Sequence, residues 1–334
     1  MKKSKKHSRV KFLCAVLLCA LLGGSLSACQ VHESDEAENP KYVIGVVTKS
    51  RSSEYWMSVC SGMEKAASDL GVKVIIMSPD TETDEKTQQQ MIGSLLKKDI
   101  DALAVSPINS HNAKGYLKKA EEKGIQVVSY DTKILEKGVP YIGIDNEKVG
   151  RELAQYMAAQ MKKKGLVGII SGNLKQSSHA SRLKGFRDYI DKNTDIKIAF
   201  TESGYSNLRM PEKEISRLMR EHPDLNGIFA TSAVTALGIM EYLGDRPVLI
   251  ATVDAQEDAL DAVKKGKIGA LAYQPGYEIG YETVRYIVNQ KEGKKQPEQK
   301  NHSGRSKNKT TKIKIVHISE DLWQTKGPLL SSIK

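Results

Sequence analysis

From Tyr42 onward the chain alternates short apolar runs with stretches whose apolar residues recur every three or four positions. Eleven runs stand out. They are Tyr42–Thr48, Val72–Met77, Ala102–Val105, Gln126–Tyr130, Tyr141–Ile144, Leu166–Ser171, Lys197–Phe200, Gly227–Ala230, Val248–Val253, Ala270–Tyr273 and Lys312–His317. Each is rich in Val and Ile and apolar on both alternating faces, the pattern of parallel strands covered by helices. Between the first two runs, Trp56, Val59, Cys60, Met63, Ala66, Ala67 and Leu70 recur at helical spacing, and Gly71 supplies a stop. Glu85–Leu96, Ala113–Glu122, Asn146–Met161 and His179–Tyr189 repeat the pattern. The alternation predicts a doubly wound α/β architecture with right-handed crossovers. Its repetition predicts two similar parallel-sheet lobes.

The first thirty residues break this pattern. Six Lys or Arg and no acid occupy positions 2 to 11, and an apolar run from Phe12 to Leu22 follows. Gly23, Gly24 and Leu26-Ser27-Ala28-Cys29 complete the order of a secretory signal peptide. The apolar run falls well short of the roughly 20 residues a membrane-crossing helix needs. Leu-Ser-Ala-Cys resembles the lipobox of bacterial lipoproteins, which implies cleavage before Cys29 and acylation of its thiol. The expected place is therefore the outer face of the bacterial cytoplasmic membrane. Residues 1–28 form the leader, and residues 29–41, polar and acidic, form the acylated Cys and its tether.

Removing the leader changes the charge argument. It takes six basic residues and no acids, so the formal net charge falls from +11 to about +5. Nine Lys or Arg of the remainder lie between Lys291 and Lys314, a local run that reads as a solvated loop and not as a nucleic-acid face. Of the four cysteines, Cys14 and Cys19 leave with the leader and Cys29 takes the lipid. Cys60 has no partner for a bridge and reads as a buried structural thiol.

The parts of an enzyme are missing from the sequence. There is no G-x-x-x-x-G-K-[ST] loop, no G-x-G-x-x-G behind the first strand and no G-x-S-x-G elbow. His111, His179 and His222 lack metal-ligand spacing. No cofactor or metal is expected. Polar and aromatic side chains instead gather just behind the apolar runs, where open α/β sheets bind ligands. Lys49, Ser53, Tyr55 and Trp56 follow the first run, Ser106 the third, and Asp131 and Thr132 the fourth. Ser178 to Arg182, Tyr205, Ser232, Asp254 and Gln274 follow runs of the second half.

The chain here resembles the periplasmic sugar-binding proteins of the ribose-binding type, the type 1 solute-binding fold. The resemblance spans nearly all of residues 42–290. It rests on V-V-T-K-S-R-S-S-E-Y-W with G-M-E-K-A-A-S-D-L-G, on D-A-L-A-V-S-P, and on I-Q-V-V-S-Y-D-T. Y-I-G-I-D-N-E-K-V-G-R-E-L-A, A-T-V-D-A and A-Y-Q-P-G-Y-E-I-G continue it in order. It implies a first lobe of residues 42–145 with 275–300 and a second of 146–274 with 307–330. A hinge near Ile144–Glu147 and Tyr273–Gly276 joins them, with a ligand cleft between.

Carried over by position, Tyr55 and Trp56 become an aromatic pair against a sugar ring, and Asp131 and Asp254 accept hydroxyl hydrogens. Arg182 donates from the second lobe, with Tyr205 and Gln274 completing the cleft and Lys49 a possible charge. Simpler roles stay open: Trp56 as core, the two Asp as caps or turn formers, Arg182 as a surface residue. Ser106 and Ser232 stand where the ribose-binding pattern has Asn, Thr132 where it has Arg, and Ala233 where Asp commonly follows. These smaller residues imply a different or larger ligand than ribose. The implied partners are the permease of an ABC importer or, alternatively, a membrane sensor kinase. The implied state is a monomer held at the membrane by lipid.

Overall fold

The structure is a computed structural model that describes residues 32–33, 39–206, 209–294, 309–310 and 314–317. The leader 1–28, the acylation expected at Cys29, and the basic stretch 297–311 apart from Lys309 and Thr310 lie outside the described residues.

The first sheet contains β1 (His32–Glu33), β2 (Val43–Val47), β3 (Lys73–Met77), β4 (Ala102–Val105), β5 (Gln126–Tyr130) and β6 (Tyr141–Gly143). The second contains β7 (Leu166–Ser171), β8 (Lys197–Ser203), β9 (Gly227–Ala230), β10 (Leu249–Val253) and β11 (Ala270–Tyr273). The five parallel strands run β3-β2-β4-β5-β6 in one sheet and β8-β7-β9-β10-β11 in the other. Both orders are second-first-third-fourth-fifth, so the two lobes share one topology and place their switch points at β2/β4 and β7/β9. Every residue of β4 and β9 is buried, as expected of a central strand covered on both faces. β8 differs from the sequence pattern. It extends to Ser203 and is half-buried between exposed ends at Lys197 and Ser203, because it lies at a sheet edge.

The first-lobe helices are α1 (Glu54–Leu70), α2 (Glu85–Leu95) and α3 (Lys114–Glu122). The second lobe has α4 (Asn146–Gln160), α5 (Ser177–Asn193), α6 (Glu212–Glu221), α7 (Ala233–Leu243) and α8 (Glu257–Lys264), and α9 (Gly276–Lys291) follows β11. Ser53 Oγ accepts from Trp56 N at 3.4 Å to start α1, and Gly71, at φ 66°, ends it.

Helix α1 packs on α9, and α4 on α5, through paired glycines. A Cβ on Gly62 would stand 2.0 Å from the Tyr277 carbonyl oxygen, and one on Gly280 2.0 Å from that of Val59. In the second lobe the same holds for Gly150 against Arg182 (2.0 Å) and Gly185 against Glu147 (1.9 Å). Only the absence of side chains lets the backbones approach so closely.

One apolar cluster runs through both lobes, from Ile44, Val59 and Tyr130 to Val149, Phe186 and Phe229. Two others cover the far faces, one around Ile92 and Leu103 and one around Ile228 and Leu271. The chain leaves the first lobe at Ile144–Asp145 and returns through Gln274–Pro275 into α9. The expected lobe bounds, 275–300 in the first lobe and 307–330 in the second, imply a third passage between residues 300 and 307. β12 (Lys309–Thr310) pairs with β6 and β13 (Lys314–His317) with β11, so the chain changes sheets again between them. No helix among the described residues is long and apolar enough to cross a membrane.

Candidate functional site

The carboxyl ends of both parallel sheets face one cleft. Asp131 follows β5 and Asp254 follows β10, the fourth parallel strand of each lobe in chain order. Both adopt left-handed backbone, at φ 56° and φ 81°. Strained backbone of this kind costs roughly 1–3 kcal/mol and collects at functional sites. The two carboxylates nevertheless have different surroundings.

Asp131 is buried and saturated. Oδ1 accepts from Tyr55 OH at 2.8 Å, and Oδ2 from Ser106 Oγ at 3.0 Å and Thr132 Oγ1 at 2.8 Å. The Lys49 ammonium stands 3.1 Å from Oδ2. Burial alone would raise the pKa of Asp131, but Lys49 and these hydroxyls outweigh it and hold the carboxyl below its ordinary value. Burial likewise works against the Lys49 charge, and Asp131 and Glu82 overcome it. Lys49 Nζ donates to Thr132 Oγ1 at 2.9 Å and Gln176 Oε1 at 2.8 Å, and lies 3.5 Å from Glu82 Oε2. The room expected from the small residues Ser106 and Thr132 is therefore occupied: Lys49 supplies, from another strand end, the cation that Thr132 lacks.

Asp254 is partly buried, and Gln274 Nε2 donates to its Oδ1. Burial raises its pKa against the opposing pull of Arg182 and Gln274, and the charges of Asp131 and Glu82 add to the rise. Gln274 Oε1 is buried without a partner among the described residues. Arg182 donates Nε to Asn146 Oδ1 at 2.8 Å and Nη1 to the Thr231 carbonyl at 2.9 Å. Asn146 thus does more than open α4; it orients the guanidinium.

Of the residues expected to bind, Lys49, Ser53, Tyr55, Trp56, Asp131, Arg182, Ser232, Asp254 and Gln274 line this space. Two do not. Ser106 is fully buried behind Asp131. Tyr205 packs against the far-face cluster of the second lobe, and its carbonyl accepts from Thr235 Oγ1 at 3.1 Å. Trp56 borders the cleft yet belongs to the core, with 1 % exposure. Its N–H donates to Glu82 Oε1 at 2.8 Å, and Lys49 Nζ covers its ring 5.6 Å from the centroid. Tyr55 meets it edge-on and is the more accessible of the pair.

Glu82, Gln256 and His179 also line the cleft. Glu82 lies behind β3, a strand end for which the sequence offered no binding candidate. His179, which lacks metal-ligand spacing in the sequence, sits in the first turn of α5. It lies beside Thr231, Nδ1 to Oγ1 2.8 Å, and burial, then Arg182 and Lys49, push its pKa well below the usual value, so the ring is neutral.

Direct bonds cross the cleft. Gln176 Nε2 donates to the Glu82 carbonyl at 3.2 Å, and Thr132 Oγ1 meets Ser178 Oγ at 3.0 Å. Ser177 N donates to Ser110 Oγ at 2.9 Å, so a first-lobe hydroxyl caps the start of the second-lobe helix α5. The lobes are closed, with these bonds spanning the cleft between them. No group of three or more His, Cys, Asp or Glu among the described residues is arranged to hold a metal ion.

Comparison with known proteins places this geometry. The periplasmic binding protein domain profile matches residues 44–295. The D-ribose/D-allose-binding protein of Pseudomonas aeruginosa is 29 % identical over 243 residues, covering 70 % of this chain and 75 % of its own. The ribose import binding protein of Bacillus subtilis is 26 % identical, covering 76 % and 85 %. Among solved structures, a carbohydrate transporter solute-binding protein from Agrobacterium radiobacter in complex with D-arabinose superposes with a TM-score of 0.77 at 22 % identity, over 88 % and 99 % of the chains. The fructose-binding periplasmic domain of a hybrid two-component system gives 0.78 at 23 %, over 87 % and 96 %. With three quarters of its length matched and the same two-lobed fold, the chain belongs to the periplasmic binding protein domain family.

Proposed function

We propose that this chain is an extracytoplasmic solute-binding lipoprotein that captures a sugar between its lobes and delivers it to an ABC importer. The observation that carries the reading is a polar cleft built from both lobes, with Asp254, Gln274 and Arg182 on one wall and Tyr55 on the other. A sugar has apolar C–H faces suited to an aromatic ring and a hydroxyl rim suited to charged partners. The relatives named for ribose, allose and arabinose support the same ligand class. No catalytic step is assigned: the groups at hand grip and orient, and the ligand leaves unchanged.

Side-chain bonds between the lobes close the cleft over its lining. Entry requires the lobes to part about the Ile144–Asp145 and Gln274–Pro275 connections and close again, a hinge motion. Cys29, in the lipobox-like Leu-Ser-Ala-Cys, holds the protein at the outer face of the membrane by its lipid. The fructose-binding domain of a two-component system favours one second reading, an accessory whose closed form signals to a membrane sensor kinase.

Titration calorimetry against monosaccharides and amino acids tests the proposal. Saturable one-to-one binding of at least one sugar, without turnover and without amino-acid binding, is the expected result. Tight binding of an amino acid with silence from every sugar would overturn it.

A further inference from the structure

Charge is shared unevenly in the cleft. The titratable groups facing it are Lys49, Tyr55, Glu82, Asp131, His179, Arg182 and Asp254, with the Tyr55 phenol held protonated by burial. With His179 neutral, two cations stand against three carboxylates. Lys49 serves two of them, Asp131 at 3.1 Å and Glu82 at 3.5 Å. Arg182 spends Nε and Nη1 on the neutral oxygens of Asn146 and Thr231. Among the described residues no Lys or Arg pairs with Asp254; its partner is the amide of Gln274.

Beside that carboxylate the other end of the same amide is unmet. Gln274 is 5 % exposed, and its Oε1 has no donor among the described residues. Exchanging the amide's ends would set oxygen against the Asp254 carboxylate, so Oε1 is the free atom. This corner therefore offers two adjacent acceptors and an unbalanced negative charge, both costly to leave unmet away from water. A sugar hydroxyl brings one donor and no charge. An ammonium brings three donors and a positive charge.

We propose that the ligand, within the sugar-binding reading on which this rests, is an amino sugar whose ammonium docks between the Asp254 carboxylate and Gln274 Oε1. The hydroxyl rim then meets Arg182, and the ring lies against Tyr55.

Calorimetry on the purified full-length chain with D-glucosamine, D-galactosamine and their neutral parents D-glucose and D-galactose tests this. At about pH 6.5 an amine of α-amino type is protonated. At least one amine should bind tenfold or more tightly than its parent, and Asp254→Asn, which keeps the shape but not the charge, should cut that ratio below threefold. Asn tolerates left-handed backbone, so the variant should fold; a melting curve checks it. Parents that bind as tightly as the amines, or a ratio that survives Asp254→Asn, overturn the proposal while the sugar reading stands. Silence from these four and from all other monosaccharides overturns both.

Discussion

Asp131 and Asp254 occupy matching places in the two lobes, but only one has capacity left for a ligand. Asp131 receives three hydroxyls and an ammonium from the protein, whereas among the described residues the carboxylate of Asp254 meets only Gln274. Deleting Asp254 should therefore act on binding and deleting Asp131 on the fold. Asp254→Ala is expected to weaken sugar affinity at least tenfold, equivalent to about 1.4 kcal/mol. Asp131→Ala leaves Lys49 short of a counter-charge in a buried site and should cost roughly 3 kcal/mol of stability. Calorimetry and melting curves on both variants separate the two roles. His179 provides a test by pH. Its folded pKa lies below its unfolded value, so as pH falls below about 6.5 the unfolded chain gains a proton that the folded chain refuses. Stability should drop between about pH 6.5 and 5, and His179→Gln should flatten that part of the melting-temperature profile. An equal slope in wild type and variant would remove His179 as the cause. At this scale the sequence located both carboxylates through their positions behind strands. It could not reveal that one was already satisfied, because Tyr55 and Lys49 reach Asp131 from behind β2 and Ser106 from behind β4.

The helices repeat the symmetry of the sheets. Gly62 with Gly280 and Gly150 with Gly185 let α1 meet α9 and α4 meet α5 at backbone contact. Gly150→Ala places a methyl 2.0 Å from the Arg182 carbonyl, on the helix that carries the Arg182 side chain. We expect a loss of about 1–3 kcal/mol from forced separation of the helices, read as a lower Tm, together with weaker sugar binding as Arg182 shifts. A variant that melts and binds like wild type would show that the close packing is dispensable. Most strands and five helices were legible because apolar periodicity records burial directly. The ends were less so: α5 begins at Ser177 and runs to Asn193, its first turn capped by Ser110 from the other lobe. No local pattern can announce a cap supplied from 67 positions away. The glycine pairs were equally silent, since a glycine in a helical run does not state what it approaches.

At the scale of the molecule, two sheets of identical order face each other across a cleft bonded from both sides. The two-lobe architecture was readable because the β-α alternation runs twice through the chain. The closed arrangement, with Gln176 reaching Lys49 and Glu82, was not, since side-chain bonds between lobes carry no periodic signal. Those bonds hold the lobes together beside the cleft lining, and a ligand favours closure only by gripping both lobes more tightly closed than open. Ligand capture depends on that grip. Small-angle X-ray scattering of the wild-type chain, without and with a saturating bound sugar, measures it most directly. The radius of gyration should fall on ligand addition, with half the contraction at the calorimetric Kd. Saturable sugar binding with an unchanged scattering profile would contradict a ligand held between closing lobes.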